Sequence, residues 1–189
     1  GREVPAELRE GIEIKNLSFA YAEGESVLRD VSLRIPAGGS LAIVGPSGSG
    51  KSTLLQLLMG HHPGYEGSIR LDGAELREIA PASLYELLSV IQQEVFIFNS
   101  SIEQNVTMFG KFEPERVEAA IAGAGLGELT AARGLDFVCG ENGANLSGGE
   151  RQRVSIARSL LKRTPVLLVD EATAALDRPT AAEVMGAAL

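Results

Sequence analysis

Eight consecutive residues, Gly45-Pro46-Ser47-Gly48-Ser49-Gly50-Lys51-Ser52, with Thr53 following, carry the strongest chemical signal in this chain. The spacing is G-x-x-x-x-G-K-S, that of a loop that cradles phosphate. Glycine lets the backbone take positive φ and come close to a polyanion. Successive N–H groups can then converge as an anion nest, and a helix start adds partial positive charge. Lys51 is the loop's only side-chain cation and can reach β- and γ-phosphates, while the Ser52 hydroxyl suits Mg²⁺. The pattern predicts a nucleoside triphosphate site.

Two further groups of residues have chemical potential. Asp170 and Glu171 follow the apolar run Val166-Leu167-Leu168-Val169. A carboxylate ending a strand beside a phosphate loop can hold Mg²⁺ through water, and its neighbour can orient or deprotonate an attacking water. Alone, the pair could mark a strand's exposed end; the upstream loop favours the chemical reading. The second group is Leu146-Ser147-Gly148-Gly149-Glu150-Arg151-Gln152-Arg153. Ser147 and Glu150 have the spacing of a capping box. Capping leaves Gly148 and Gly149 unexplained, because glycine is a poor helix former. They fit if backbone N–H groups must approach an anion. One nucleotide can use both helix starts only when two copies face each other head to tail.

The elements that must position these residues are legible from periodicity. Gly1 to Gly11 is polar and reads as a linker. Ile12–Ile14 with Leu17–Tyr21, and then Val27–Ile35, alternate as antiparallel strands. Leu41–Val44 reads as a buried strand feeding the loop, and Thr53–Met59 as the helix leaving it. Gly67–Leu71 is a short strand with Asp72-Gly73 as its turn. Ser83–Leu88 looks helical, and Ser89–Gln93 looks like a strand. Pro114 suits a first helical position, and the glycines at 123, 125 and 127 end what it starts. Glu150–Lys162 is amphipathic, and Val166–Val169 is a fully buried strand. The basic residues Arg151, Arg153, Arg158, Lys162 and Arg163 are expected on that helix's solvated face. His61 and His62, before Pro63, are expected in solvent, and Cys139 in packing.

The bulk numbers set limits. The 189 residues suit one domain with room for a small subdomain. A formal net charge of −8 argues against a broad nucleic-acid surface. The lone cysteine excludes an internal disulfide and fits a reducing compartment. No apolar run approaches a membrane span.

The phosphate loop, Leu146–Arg153 and the stretch Val166-Leu167-Leu168-Val169-Asp170-Glu171-Ala172-Thr173 together resemble the ATP-binding domain of an ABC transporter, over essentially the whole chain. The resemblance implies an α/β fold: a P-loop NTPase core with a mainly parallel sheet, an N-terminal antiparallel β subdomain and a helical subdomain over about 94–160, all within 12–189. It implies ATP and Mg²⁺ as cofactors. Tyr21 matches the aromatic that stacks on adenine. Gln93 matches the glutamine that contacts Mg²⁺ and water and senses the membrane domain. Ser147, Gly148 and Gly149 match the groups that clasp the γ-phosphate held by the opposite subunit. Asp170 matches the metal aspartate, Glu171 the catalytic glutamate, and Asp177 the loop linking the two sites. The stretches Phe98–Asn105 and Gly140–Gly143 resemble the exporter branch, in which the ATPase is fused after a membrane domain. The implied partners are that domain and a second ATP-binding domain, at the cytoplasmic face of the membrane. Glu150 replaces the family's usual glutamine. The family's switch histidine would fall beyond Leu189, so a truncated or excised domain is expected.

Other readings share part of this pattern. Tyr21 could simply pack beside Phe19. DNA-repair and chromosome-maintenance ATPases pair the same motifs, but around a long coiled coil, and 52–146 shows no sustained heptads. Translation-factor ATPases carry two cassettes, and a degenerate cassette binds ATP without hydrolysis; the presence of Glu171 argues against the latter.

Overall fold

The apolar residues of the first strand change parity, from Ile12 and Ile14 to Leu17 and Phe19, and the fold absorbs that change in a bulge. Strand β1 (Gly11–Phe19) pairs antiparallel with β2 (Leu28–Pro36) on one side and β3 (Glu66–Leu71) on the other. Both ladders shift register just after Ile14 or Lys15, where Asn16 takes a left-handed φ of 47°. The extra residue returns Leu17 and Phe19 to the buried face. Asn16 suits the position because its amide donates to the Asp30 carboxylate at 2.8 Å.

This computed structural model describes residues 1–170 except 22, 23, 25, 47 and 93. The chain divides into two compact units: Gly1–Leu88 with Thr164–Val166, and Ser89–Arg163 with the described residues from Leu167 on. Among the described residues, no helix is long and apolar enough to cross a membrane.

The first unit is built on an antiparallel sheet ordered β2-β1-β3-β4, with β4 at Ala74–Glu75. Asp72 and Gly73, at φ 46° and 77°, make the tight hairpin turn that their sequence predicted. The Asp72 carboxylate also accepts backbone N–H bonds from Arg9, Glu10 and Gly11 at 2.7–2.9 Å. Burial pushes its pKa up, but those three bonds and the nearby Arg9 charge together hold it below its ordinary value. Of Gly1 to Gly11, which read as a linker, Gly11 opens β1 and the residues before it are fastened to this unit, with Arg2 bridged to Ile79. Helix α1 (Lys51–Leu58) buries Thr53, Leu54, Leu57 and Leu58. Helix α2 (Pro81–Leu87) starts on a proline, whose missing N–H costs nothing there.

One expectation fails in this unit. Leu41–Val44 forms no strand among the described residues, and Leu41, Ile43 and Val44 are 50%, 39% and 89% exposed. An apolar run becomes a buried strand only where neighbours complete its hydrogen bonds and cover its side chains. No described strand pairs with this one.

The second unit carries α3 (Ile102–Thr107), α4 (Pro114–Gly123), α5 (Gly127–Arg133) and α6 (Gly148–Lys162). A two-stranded sheet pairs β5 (Leu88–Ile91) with β6 (Val166–Val169), and all but the first residue of each strand belongs to this unit. Glycines end α4 as expected, but α3 and α5 were not anticipated. The α3 cap is Ser101, whose hydroxyl accepts from the Gln104 N–H. The core joins Ile97, Ile102, Val106, Leu126, Val154 and Ile156. Cys139 lies fully buried within it, as expected, and burial pushes its thiol pKa up.

Arg158 corrects the expected solvated face of α6. Its guanidinium donates to the Asn105 carbonyl at 2.7 Å, the Phe96 carbonyl at 2.8 Å and Asn105 Oδ1 at 3.0 Å. Asn105, fully buried, also accepts from the Phe98 N–H and donates to the carbonyls of Phe98 and Ser101. The segment between β5 and α3 has few regular backbone partners, so these two side chains supply them. Asn105→Ala leaves the Phe98 N–H and the Phe98 and Ser101 carbonyls without their partner and removes one of the three acceptors of Arg158, and is expected to destabilise by about 1–3 kcal/mol. Urea denaturation checks this; a loss within about 0.5 kcal/mol, the range of ordinary surface substitutions, would exclude the network as a determinant of stability.

Candidate functional site

At the phosphate loop, Gly48 and Gly50 take φ of 80° and 86°, while Ser49 between them does not turn positive. That alternation of hand is the backbone pattern of an anion nest, in which the Ser49 N–H is here donated to the Pro46 carbonyl at 3.2 Å. Gly50 is the N-cap of α1, and only glycine fits: a Cβ there would lie 2.8 Å from a Leu28 methyl and 3.1 Å from the Val27 carbonyl. The first turn of α1 contains no acidic residue, so its positive end is not neutralised from within the helix. Lys51 Nζ donates to the carbonyls of Gly45 and Pro46, both at 2.7 Å, and contacts Ser49 Oγ at 3.3 Å. The ammonium therefore lies over the loop, where a polyphosphate would exchange carbonyl contacts for ionic ones. Ser52 is exposed and Thr53 is buried. Ser47 lies outside the described residues.

Tyr21 stands in the same unit, 55% exposed, just beyond the end of β1. It does pack beside Phe19, edge to face at 5.1 Å between ring centres. Its hydroxyl also reaches Thr53 Oγ1 at 2.9 Å and Gln56 Oε1 at 3.1 Å, which ties it to the phosphate-loop helix. His62 is not simply solvated: its ring meets both Phe19 and Tyr21. His61 is exposed, as expected.

In the second unit α6 begins with the predicted capping box. The Ser147 N–H donates to Glu150 Oε2 at 2.7 Å, and the Glu150 N–H donates to Ser147 Oγ at 3.2 Å. Gly148 and Gly149 do not take positive φ, and a Cβ at either would meet nothing closer than 3.9 Å. Neither conformation nor packing within this chain requires glycine there. Asp170 follows β6, and its N–H donates to the Ile91 carbonyl of β5 at 2.9 Å. Gln93, Glu171 and Asp177 lie outside the described residues.

Sequence reading missed Gln152. It is 3% exposed, and its amide donates to the Gln92 carbonyl at 3.0 Å, immediately before Gln93. The signal was available: Gln152 precedes Ile156 by four residues, on the buried face of α6, where a polar side chain needs a partner.

A nest-forming loop at a helix start, with a lysine over it, defines a nucleotide-binding protein of the P-loop class. The family model described as ABC transporter matches residues 28–174. The chain belongs to the ABC transporter family. It is 41% identical over 184 residues to the uncharacterized ABC transporter ATP-binding protein YwjA of Bacillus subtilis, covering 95% of this chain and 32% of that one. Over 186 residues it is 41% identical to the ATP-dependent lipid A-core flippase of Desulfotalea psychrophila, covering 96% and 32%. Human ATP-binding cassette sub-family B member 6 is 43% identical over 170 residues, covering 88% and 20%. A bacterial Atm1-family ABC exporter with ATP bound superposes with a TM-score of 0.88 at 36% identity, covering 98% of this chain and 34% of that one. The likeness confirms the α/β P-loop NTPase fold. The chain spans about a third or less of the length of these relatives.

Lys51→Ala is expected to abolish ATP affinity and leave the fold intact, because the loop's backbone geometry rests on its glycines. Nucleotide titration with circular dichroism checks this; unchanged affinity in the folded variant would remove the phosphate site from this loop. Glu150→Gln, which keeps a capping partner, is expected to leave ATP binding unchanged and to cost at most a few tenths of a kcal/mol. A large gain in ATP-dependent dimerisation from that change would show the carboxylate facing phosphate.

Proposed function

We propose that this chain is the ATP-hydrolysing part of a membrane exporter, working as two ATP-binding domains that face each other head to tail with nucleotide between them. The observation that carries the reading is the pair of glycines opening α6. Glycine there lowers helix propensity by up to about 1 kcal/mol per residue against alanine. The chain gains nothing from it in backbone conformation or packing. An outside group that must come close to the helix N-terminus accounts for it, and a γ-phosphate held by a second copy is such a group.

In this reading the nest of Gly45–Ser52 and Lys51 bind the phosphates and Tyr21 receives the adenine. Ser52, Asp170 and Gln93 would hold Mg²⁺. Their donors suit it: a hydroxyl, a carboxylate and an amide oxygen are hard ligands that leave room for water and phosphate. The ion would supply charge neutralisation at the terminal phosphates. Glu171 orients and deprotonates the attacking water, and Gln93 contacts that water. Ser147, Gly148 and Gly149 close on the γ-phosphate of the opposite copy, and Asp177 lies between the two sites. The partners are a second ATP-binding domain and a transmembrane domain fused upstream in the same polypeptide, at the cytoplasmic face of the membrane. The ATP-bound exporter that superposes on this chain supports the class of system.

Complementation tests the head-to-tail arrangement. In the full-length protein, Lys51→Ala and Gly149→Ala are each expected to lower ATP turnover at least about tenfold, since each spoils both composite sites of its own dimer. Co-expressed, the two variants form mixed dimers in which one site joins an intact phosphate loop to an intact Ser147–Gly149, and turnover returns in part. Full activity of Gly149→Ala alone, or no recovery in mixed dimers, would refute the arrangement.

A further inference from the structure

An exposed tyrosine is ordinarily free to turn, yet Tyr21 is held at its tip and along its sides. Gln56 Oε1 is an amide oxygen and can only accept. The Tyr21 hydroxyl therefore donates to it at 3.1 Å, and His62 Nε2 donates to the same atom at 3.2 Å. With its one proton so used, the Tyr21 oxygen accepts from the Thr53 hydroxyl at 2.9 Å. The result is a continuous chain from Thr53 through Tyr21 and Gln56 to His62, anchored on a buried residue of the phosphate-loop helix. The rings add a second constraint. His62 meets Tyr21 edge to face at 5.3 Å and 88°, Phe19 meets it at 5.1 Å and 80°, and Phe19 and His62 contact each other at 5.4 Å. Each is within the range in which aromatic pairs attract. More than half of Tyr21 still remains open.

We infer that His62, acting with Gln56, is a positioning residue for the nucleotide's base. It fixes the Tyr21 ring as a preorganised stacking surface at a set distance from the phosphate loop, so that a planar purine binds without the cost of ordering the ring. Preorganisation contributes by removing rotamer entropy that binding would otherwise have to overcome. The inference rests on the proposed role of Tyr21 as the base platform, and its test separates the two.

The test measures equilibrium binding of ATP, and of inorganic tripolyphosphate as a probe without a base, to the full-length protein. Tyr21→Ala is the reference variant and is expected to weaken ATP but not tripolyphosphate. His62→Ala is expected to weaken ATP by about three- to tenfold, the scale of the rotamer entropy of one side chain that binding must then order, and to leave tripolyphosphate unchanged. Adding His62→Ala to Tyr21→Ala is expected to cost nothing further, because the ring it positions is gone. Gln56→Leu, which removes the shared acceptor without touching a ring, should reproduce the His62→Ala pattern and stands in for it if His62→Ala does not fold. If Tyr21→Ala weakens ATP but neither His62→Ala nor Gln56→Leu does, the positioning role is wrong and the platform stands. If His62→Ala weakens ATP and tripolyphosphate equally, its role is general folding of the unit, and the inference fails. If Tyr21→Ala leaves ATP affinity unchanged, the platform reading itself falls.

Discussion

A half-buried guanidinium held by three carbonyl oxygens organises the second unit. Arg158 has no carboxylate partner among the described residues, and its three acceptors are two backbone carbonyls and one amide oxygen. Burial lowers its pKa, yet a guanidinium keeps its charge, so desolvation must be offset by strong, fixed hydrogen bonds. That demand works in reverse on the chain around it. The carbonyls of Phe96 and Asn105 must stay where the fork of N–H groups reaches them, and Asn105 in turn holds Phe98 and Ser101. A segment without a ladder of its own thereby gains fixed partners for its backbone. Gln152 does the same at smaller scale for the Gln92 carbonyl. Both side chains belong to α6, so the helix that begins with Ser147-Gly148-Gly149 also fixes the backbone on either side of Gln93.

In the proposed reading, the first unit has a different task, the recognition of a long, unevenly charged ligand. Its phosphate end needs backbone N–H groups and a cation, and its base end needs a flat apolar surface. These ask for opposite solvation: the nest is polar and open, whereas the ring must be partly desolvated and stiff. The link between them is short. Thr53 belongs to the helix whose N-cap is Gly50, and its hydroxyl meets the Tyr21 hydroxyl. In that reading helix α1 sets both ends from one rigid element.

Motifs whose function depends on local backbone were readable from sequence. The phosphate loop, the capping box and the Asp72-Gly73 turn are each set by residue type within a few positions; the box and the turn have the expected geometry, and in the loop Gly48 and Gly50 take the expected positive φ. Features that depend on distant partners were not. Arg158 lies among basic residues on an amphipathic helix, and only the fold brings Phe96 and Asn105 to it. His62 reads as a loop residue until β1 and α1 bring Phe19, Tyr21 and Gln56 around it. Leu41–Val44 shows the converse error: composition alone said strand, but a strand is a property of neighbours as well as of its own residues. Helix α3 was missed because six residues are too few for a periodic pattern, although Ser101 and Gln104 carry a cap signal.

The exposure of Leu41, Ile43 and Val44 also bears on how the 189-residue chain behaves as a material. Three branched apolar side chains next to unladdered backbone form a template to which another extended chain can add. A net charge of −8 keeps copies apart at low ionic strength, but salt shortens the range of that repulsion. Excluded salts such as sulfate strengthen apolar contact at the same time. Association of copies through Leu41, Ile43 and Val44 is therefore expected to rise with salt and to be least in dilute, low-salt solution.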